Sequence, residues 1–282
     1  MDGPEILARS MSASRIADKF GNYWQYHSRS DSHSKLACWA LLFDLLQHCP
    51  LLIKHVRDGK VGFGINHEMF DFRTRRKKNL DLVICTIGTD DGRRHPSFVD
   101  QARLLNVDLT SAQRKTLPLL PTVQKVPVGS VFVAIEAKAC MTEHGKALPR
   151  LYDELNSSHL AIHGSSDFAI AAGFAVVNVA SRFVSSDRNR WSLGDHIAVV
   201  NEHRQPDAAQ KTIDKLEEIP RRTTPNTDGF DALGIVGLHI VNDGSPVHVS
   251  SEPPAPRPQD PFHYDQMVRR IVSSYADKFG NQ

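Results

Sequence analysis

Apolar residues in this chain gather in short unbroken runs, and between the runs they recur every three or four positions, so strands and helices are expected to alternate through its middle. Residues 80–85, 131–138, 168–180 and 234–241 read as buried strands, and 61–72, which alternates loosely, as another. A helix is expected over 12–20, stopped by Gly21. A strongly apolar core helix is expected over 35–49, ended by Pro50. Leu148, Leu151, Leu155, His159 and Ile162 share one face of a helix over 146–162, with Pro149 in its first turn. Residues 207–219 predict a polar-faced helix ended by Pro220, and 264–279 a closing helix.

This pattern predicts an α/β fold with a central mixed β-sheet flanked by helices. The 282 residues are read as a single domain, with a core over about 35–241 and an insertion over 88–129. A proline-rich extended linker follows at 245–261, then a C-terminal helical arm over 262–282 that docks on its own domain or on a partner. The hexapeptide 17–22 recurs at 276–281, as two similar helix ends or by chance.

Two strands carry charges that their apolar surroundings do not explain. In Val-Phe-Val-Ala-Ile-Glu-Ala-Lys (131–138), strand periodicity sets Phe132, Ala134, Glu136 and Lys138 on one face and Val131, Val133 and Ile135 on the other. Asp81 stands alone in Leu-Asp-Leu-Val-Ile-Cys (80–85). A structural ion pair is one explanation, but desolvation can exceed its Coulomb gain. If the strands are neighbours, Asp81, Glu136 and the carbonyl of Ala137 offer hard oxygen ligands suited to Mg²⁺, with Mn²⁺ as a substitute.

An acid on one strand and Glu-x-Lys on the next resembles the PD-(D/E)xK nuclease superfamily, which includes many restriction endonucleases. Leu80 stands where that family often has proline, and the long stretch from Asp81 to Glu136 implies an inserted segment. The resemblance implies a restriction endonuclease-like fold and Mg²⁺-dependent hydrolysis of DNA phosphodiester bonds. Asp81, Glu136 and Lys138 would be catalytic, Lys138 orienting the attacking water. It also implies a helix after Glu-x-Lys, double-stranded DNA as partner and a two-fold homodimer. A type II restriction enzyme is the preferred form. The alternatives are a repair or junction nuclease, or a non-catalytic nucleic-acid-binding or assembly module. An acid from an early helix assists some such sites, which makes Asp44 a candidate, though an acid on the outer face of a buried helix is the commoner case.

Arg73, Arg75, Arg76, Lys77 and Lys78 precede the Asp81 strand and read either as phosphate contacts or as a solvated hairpin tip. Glu143, His144, Lys146 and Arg150 stand at the start of the helix after Lys138, within reach of a phosphate or simply on the surface. The polar, aromatic stretch 22–35, with Tyr23, Trp24, Tyr26 and Arg29, is read as a surface loop capping the next helix through Asp31 or Ser32, in preference to a nucleic-acid contact. A net charge of +2 neither demands nor excludes a polyanion. Four dispersed cysteines without Cys-x-x-Cys predict reduced thiols and a cytoplasmic protein. No signal segment, membrane-length apolar run, Walker loop or Gly-x-Ser-x-Gly elbow is found.

Overall fold

The computed structural model describes residues 1–89, 92–224 and 227–280. The first helix, α1 (Gly3–Ala13), begins with proline in its first turn. The helix expected over 12–20 does not form. Asp18 instead accepts hydrogen bonds from the Phe20 and Asn22 amides, the Asn22 side chain and the Trp24 indole, which closes a turn between the two-residue strands β1 (Ile16–Ala17) and β2 (Tyr23–Trp24). The first five residues of 17–22 recur at 276–280 and end a helix, with Asn281 outside the described residues. One five-residue sequence thus takes two conformations, because tertiary partners outweigh local preference.

Core helix α2 (Ser32–His48) is followed by α3 (Pro50–Arg57), set at 94° to it; Pro50 starts the second helix as well as ending the first. Strands β3 (Val61–Asp71) and β4 (Arg76–Ile87) form a hairpin. The expected insertion then forms α4 (Phe98–Leu104) and α5 (Ser111–Thr116), each opened by a capping box. It is joined to the core where Phe98 stacks on Trp39 with centroids 4.5 Å apart, an arrangement that adds about 1 kcal/mol beyond the area buried.

Next come β5 (Val128–Cys140), α6 (His144–Ser165), β6 (Ile170–Asn178), the β7 (Arg182–Val184) and β8 (Val200–Glu202) pair, α7 (Asp207–Glu217) and β9 (Ala232–His239). The chain closes with β10 (His248–Val249) and α8 (Tyr264–Phe279). Pro149 lies in the second turn of α6, because that helix starts earlier than expected. The central sheet has the order β10-β9-β6-β5-β4-β3. Strands β5, β6 and β9 are parallel and the remaining pairings antiparallel, so the chain is α/β with a six-stranded mixed sheet. One face packs on α1, α2 and α8, the other on α6 and α7.

One expectation about the C-terminal region changes, and of two alternatives for its last helix one is met. Residues 245–261 are not a free linker: β10 pairs with the β9 edge, and Ala255 is buried near Gly237. Helix α8 spends its apolar face, including Met267, Ile271, Tyr275 and Phe279, on its own domain. Among the described residues, no single helix is long and apolar enough to cross a membrane.

Candidate active site

Strands β4 and β5 pair from Ile87↔Val128 to Leu82↔Ile135, and Phe132 is an unmatched residue between Val131 and Val133. This bulge reverses the side-chain alternation. Phe132 consequently lies with the α8 layer, stacked on Phe279, while Val131 packs in the opposite layer; the expected face assignment holds only from Val133 onward.

Ladder pairing ends one residue before Asp81 would face Glu136. At the same level of β3, Asn66 has φ 52, and Leu80 and Leu82 bury in opposite layers although they are two positions apart. The hairpin is therefore bent here, and Asp81 Oδ2 accepts the Ala137 amide at 2.8 Å in place of a strand carbonyl. Its Oδ1 takes no hydrogen bond among the described residues.

Glu136, on β5, is 1% exposed. Its Oε1 meets Lys138 Nζ at 2.7 Å and Lys78 Nζ at 3.4 Å, whereas Oε2 is buried and has no partner among the described residues. Lys138 is also 3.6 Å from Glu154 of α6, whose other oxygen accepts Arg150 Nε at 2.6 Å. Two acids and three bases thus interlock where β4, β5 and α6 meet, with Asp81 beside them. Burial raises the Glu136 carboxyl above 4.5 and Asp81 adds to it, against the pull of the lysines. Burial alone would lower the Lys138 ammonium, but Glu136, Asp81 and Glu154 outweigh it and raise it, so Lys138 stays charged.

A carboxyl whose folded value exceeds its unfolded one stabilises the fold on protonation, and that contribution is lost as pH rises through the raised value. The parent protein should accordingly gain stability relative to Glu136→Gln as pH falls toward 4.5. Melting both proteins from about pH 8 to 4 checks this, and a gap that does not change with pH would contradict the burial argument.

Asp81, Ala137 and Lys138 lie at the floor of a cleft of about 700 Å³. Its walls come from 26–34, from the first turns of α6 with Glu143, Lys146, Arg150 and Glu154, and from 185–188 with Asn201. His33 is in the wall; burial, with Lys138 nearby, lowers it to about 4 and keeps the ring neutral. The stretch 22–35, expected to be a surface loop, therefore builds the cleft with Tyr26, Arg29 and Asp31, while Trp24 is buried. Asp31 occupies the N-cap position of α2 without a side-chain cap bond, because Lys35 holds its carboxylate at 2.7 Å.

The other expected site residues divide. Lys78 joins the acids, while Arg73 bridges to Asp167 at 2.8 Å and Lys77 to Glu68 at 2.8 Å. Arg75 and Arg76 are exposed and meet no carboxylate among the described residues. His144 is buried, its Nε2 2.8 Å from the Asn178 carbonyl. Asp44 is fully buried and accepts from the Asp2 and Gly3 amides and the Tyr264 hydroxyl, so it anchors α1 to α8 and has no place at this site. Glu154 was missed: nothing local marks which α6 residue faces Lys138.

Among the described residues, no three His, Cys, Asp or Glu side chains group to hold a metal ion. Two carboxylates remain, with the Ala137 carbonyl and water available, which is the sparse oxygen set that Mg²⁺ accepts. The orphaned, buried Glu136 Oε2 fits such an ion, since an unpartnered carboxylate oxygen is costly without a cation. Compared with protein-family models, curated proteins and solved structures, the chain matches none.

Proposed function

We propose that this protein is a Mg²⁺-dependent DNA endonuclease with a restriction endonuclease-like core. The observation that carries the reading is Glu136 Oε2, buried and unpartnered beside Asp81 and Lys138, in strands with no packing reason to hold charge. Asp81, Glu136 and the Ala137 carbonyl would hold the ion, with Mn²⁺ as substitute. When bound, it polarises a phosphoryl oxygen and lowers the pKa of a bound water.

The chain's own groups account for the rest. Lys138, kept charged by Glu136 and Glu154, orients the attacking water and meets the negative charge that develops on the phosphate. Arg150 and Lys146, in the cleft wall, face the phosphate backbone. Double-stranded DNA is the proposed partner and a homodimer the proposed assembly; the dimer contact would lie elsewhere than the apolar face of α8, which is already used.

Supercoiled plasmid incubated with and without Mg²⁺ tests the function, with end-sequencing of the products. Cutting that needs the ion supports it. Intact plasmid in Mg²⁺ and in Mn²⁺, from protein that melts cooperatively, refutes it.

Arg75 and Arg76 should contact phosphates in a sequence-independent way. Arg75 has φ 55, which asparagine tolerates, so Arg75→Asn with Arg76→Gln removes both charges with little backbone strain. Each lost phosphate contact flattens log affinity against log salt by about 0.9, so the slope should fall by roughly two units and all sequences should weaken alike. An unchanged slope would leave these residues as a solvated turn.

A further inference from the structure

Two phenylalanines stand in water where the tip of the β3–β4 hairpin meets the α6–β6 loop. Phe72 is 71% exposed and Phe168, in the α6–β6 loop, 75% exposed. They are held at one corner of the molecule by bonds that do not involve their rings: the Phe72 amide donates to the Gly164 carbonyl at 3.2 Å, and Arg73 Nη2 reaches Asp167 at 2.8 Å and the His163 carbonyl at 3.3 Å. Phe70 packs edge-on against Phe72, with centroids 5.1 Å apart, and supports its ring. Beside them stand Arg75 and Arg76, exposed and without a carboxylate among the described residues.

Exposed aromatic rings next to unpaired guanidinium groups suit a ligand with flat apolar faces and regular negative charge, which an unpaired nucleotide strand supplies. A membrane or a protein surface could use the rings, but neither requires arginines free of acids together with aromatics buttressed one on another. We infer that this corner is a second DNA contact, where Phe72 and Phe168 stack on unpaired bases while Arg75 and Arg76 hold the adjoining phosphates. DNA with a single-stranded segment beside a duplex is then bound more tightly than duplex alone. Arg76 lies five strand residues before Asp81, so the corner is ~17 Å from the acids, about five base-pair rises. This inference rests on the nucleic-acid reading of the chain but does not depend on catalysis.

The test is binding in chelator, where no metal-dependent cutting intervenes. Fluorescence anisotropy compares the full-length parent with the Phe72→Ala, Phe168→Ala double variant on a blunt duplex and on the same duplex bearing a short overhang that contains 2-aminopurine. Stacking is disrupted with a loss of roughly tenfold or more on the overhang DNA, and the parent's change in 2-aminopurine fluorescence disappears. Blunt-duplex affinity should stay within about twofold, as no stacked base is lost there. A second variant, Phe72→Leu with Phe168→Leu, keeps apolar bulk and should lose the fluorescence change as well, which guards against a folding defect in the alanine protein. Unchanged overhang affinity in both variants overturns the inference, and so does an equal loss on both DNAs. Capture of the parent by anionic phosphatidylserine vesicles through these rings, with DNA affinity unaltered on their removal, also overturns it. Failure of plasmid cutting would refute the nuclease proposal and leave these binding results standing, so the two failures can be told apart.

Discussion

Asp81→Asn protein should bind DNA in Ca²⁺ as the parent does and fail to cut it in Mg²⁺. The amide oxygen of asparagine can still accept the Ala137 amide, the one hydrogen bond that the Asp81 side chain makes among the described residues, so the bend between β4 and β5 should survive the substitution. What is lost is a negative charge beside the orphaned Glu136 oxygen. Since no third His, Cys, Asp or Glu side chain groups with Asp81 and Glu136 to hold an ion among the described residues, removal of one carboxylate leaves a site that a weakly coordinated Mg²⁺ should no longer occupy. Transition-state stabilisation of several kcal/mol then disappears, which corresponds to a fall of about a thousandfold or more in single-turnover rate. Calorimetric titration with Mn²⁺ gives a readout independent of cutting: the parent should show binding that Asp81→Asn lacks. Full activity in the purified variant would remove Asp81 from the site.

Much of the sheet could be read from the sequence because β4, β5, β6 and β9 are apolar runs whose character does not depend on distant contacts. Asp81, Glu136 and Lys138 stood out for the same reason, as charges in runs that exclude them. What escaped depends on contacts far apart in the chain. The Phe132 bulge exists only in the pairing of β5 with β4, and without that pairing a strict alternation puts Val131 and Phe132 on the wrong faces. Lys78 read as one of five like cations, yet it reaches the Glu154 carbonyl and Glu136 because the bend at Asp81 turns this end of β4 toward α6. Glu154 needed the register of α6 against β5. Asp44 looked like a candidate because the partners that occupy it, Gly3 and Tyr264, lie 41 and 220 residues away. The proline content of 245–261 predicted an extended linker, but 248–249 pair with β9 and the rest runs through turns closed by bonds such as Ala255 N–H to the Glu252 carbonyl.

Lys138→Met should lower single-turnover cleavage by about two to three orders of magnitude while leaving ground-state DNA binding almost unchanged. A positioned charge that meets charge developing in the transition state contributes roughly 3 to 4 kcal/mol, and that is the contribution removed. Methionine keeps most of the apolar stem, so packing between β5 and α6 is largely retained. The geometry also limits the damage to the fold. Glu136 Oε1 keeps Lys78 at 3.4 Å when Lys138 is gone, and Glu154 keeps Arg150 at 2.6 Å, so neither acid is stranded. If Lys138 served only to neutralise Glu136, the loss would appear chiefly as a lower melting temperature, because an ion pair on a buried carboxylate is costly to break. The pH profile separates the two roles further. Lys138 is held charged by its carboxylate neighbours, so its own titration should leave no limb near neutrality. The acid limb should belong to Glu136, whose ionised form Lys138 and Lys78 favour. Loss of the 3.4 to 2.7 Å lysine pair's nearer member should move that limb higher still, because one of the charges that favours ionised Glu136 has been taken away. A Lys138→Met protein that cuts at the parent rate with an unshifted acid limb would exclude Lys138 from the mechanism and, with it, the proposed role of Glu-x-Lys on β5.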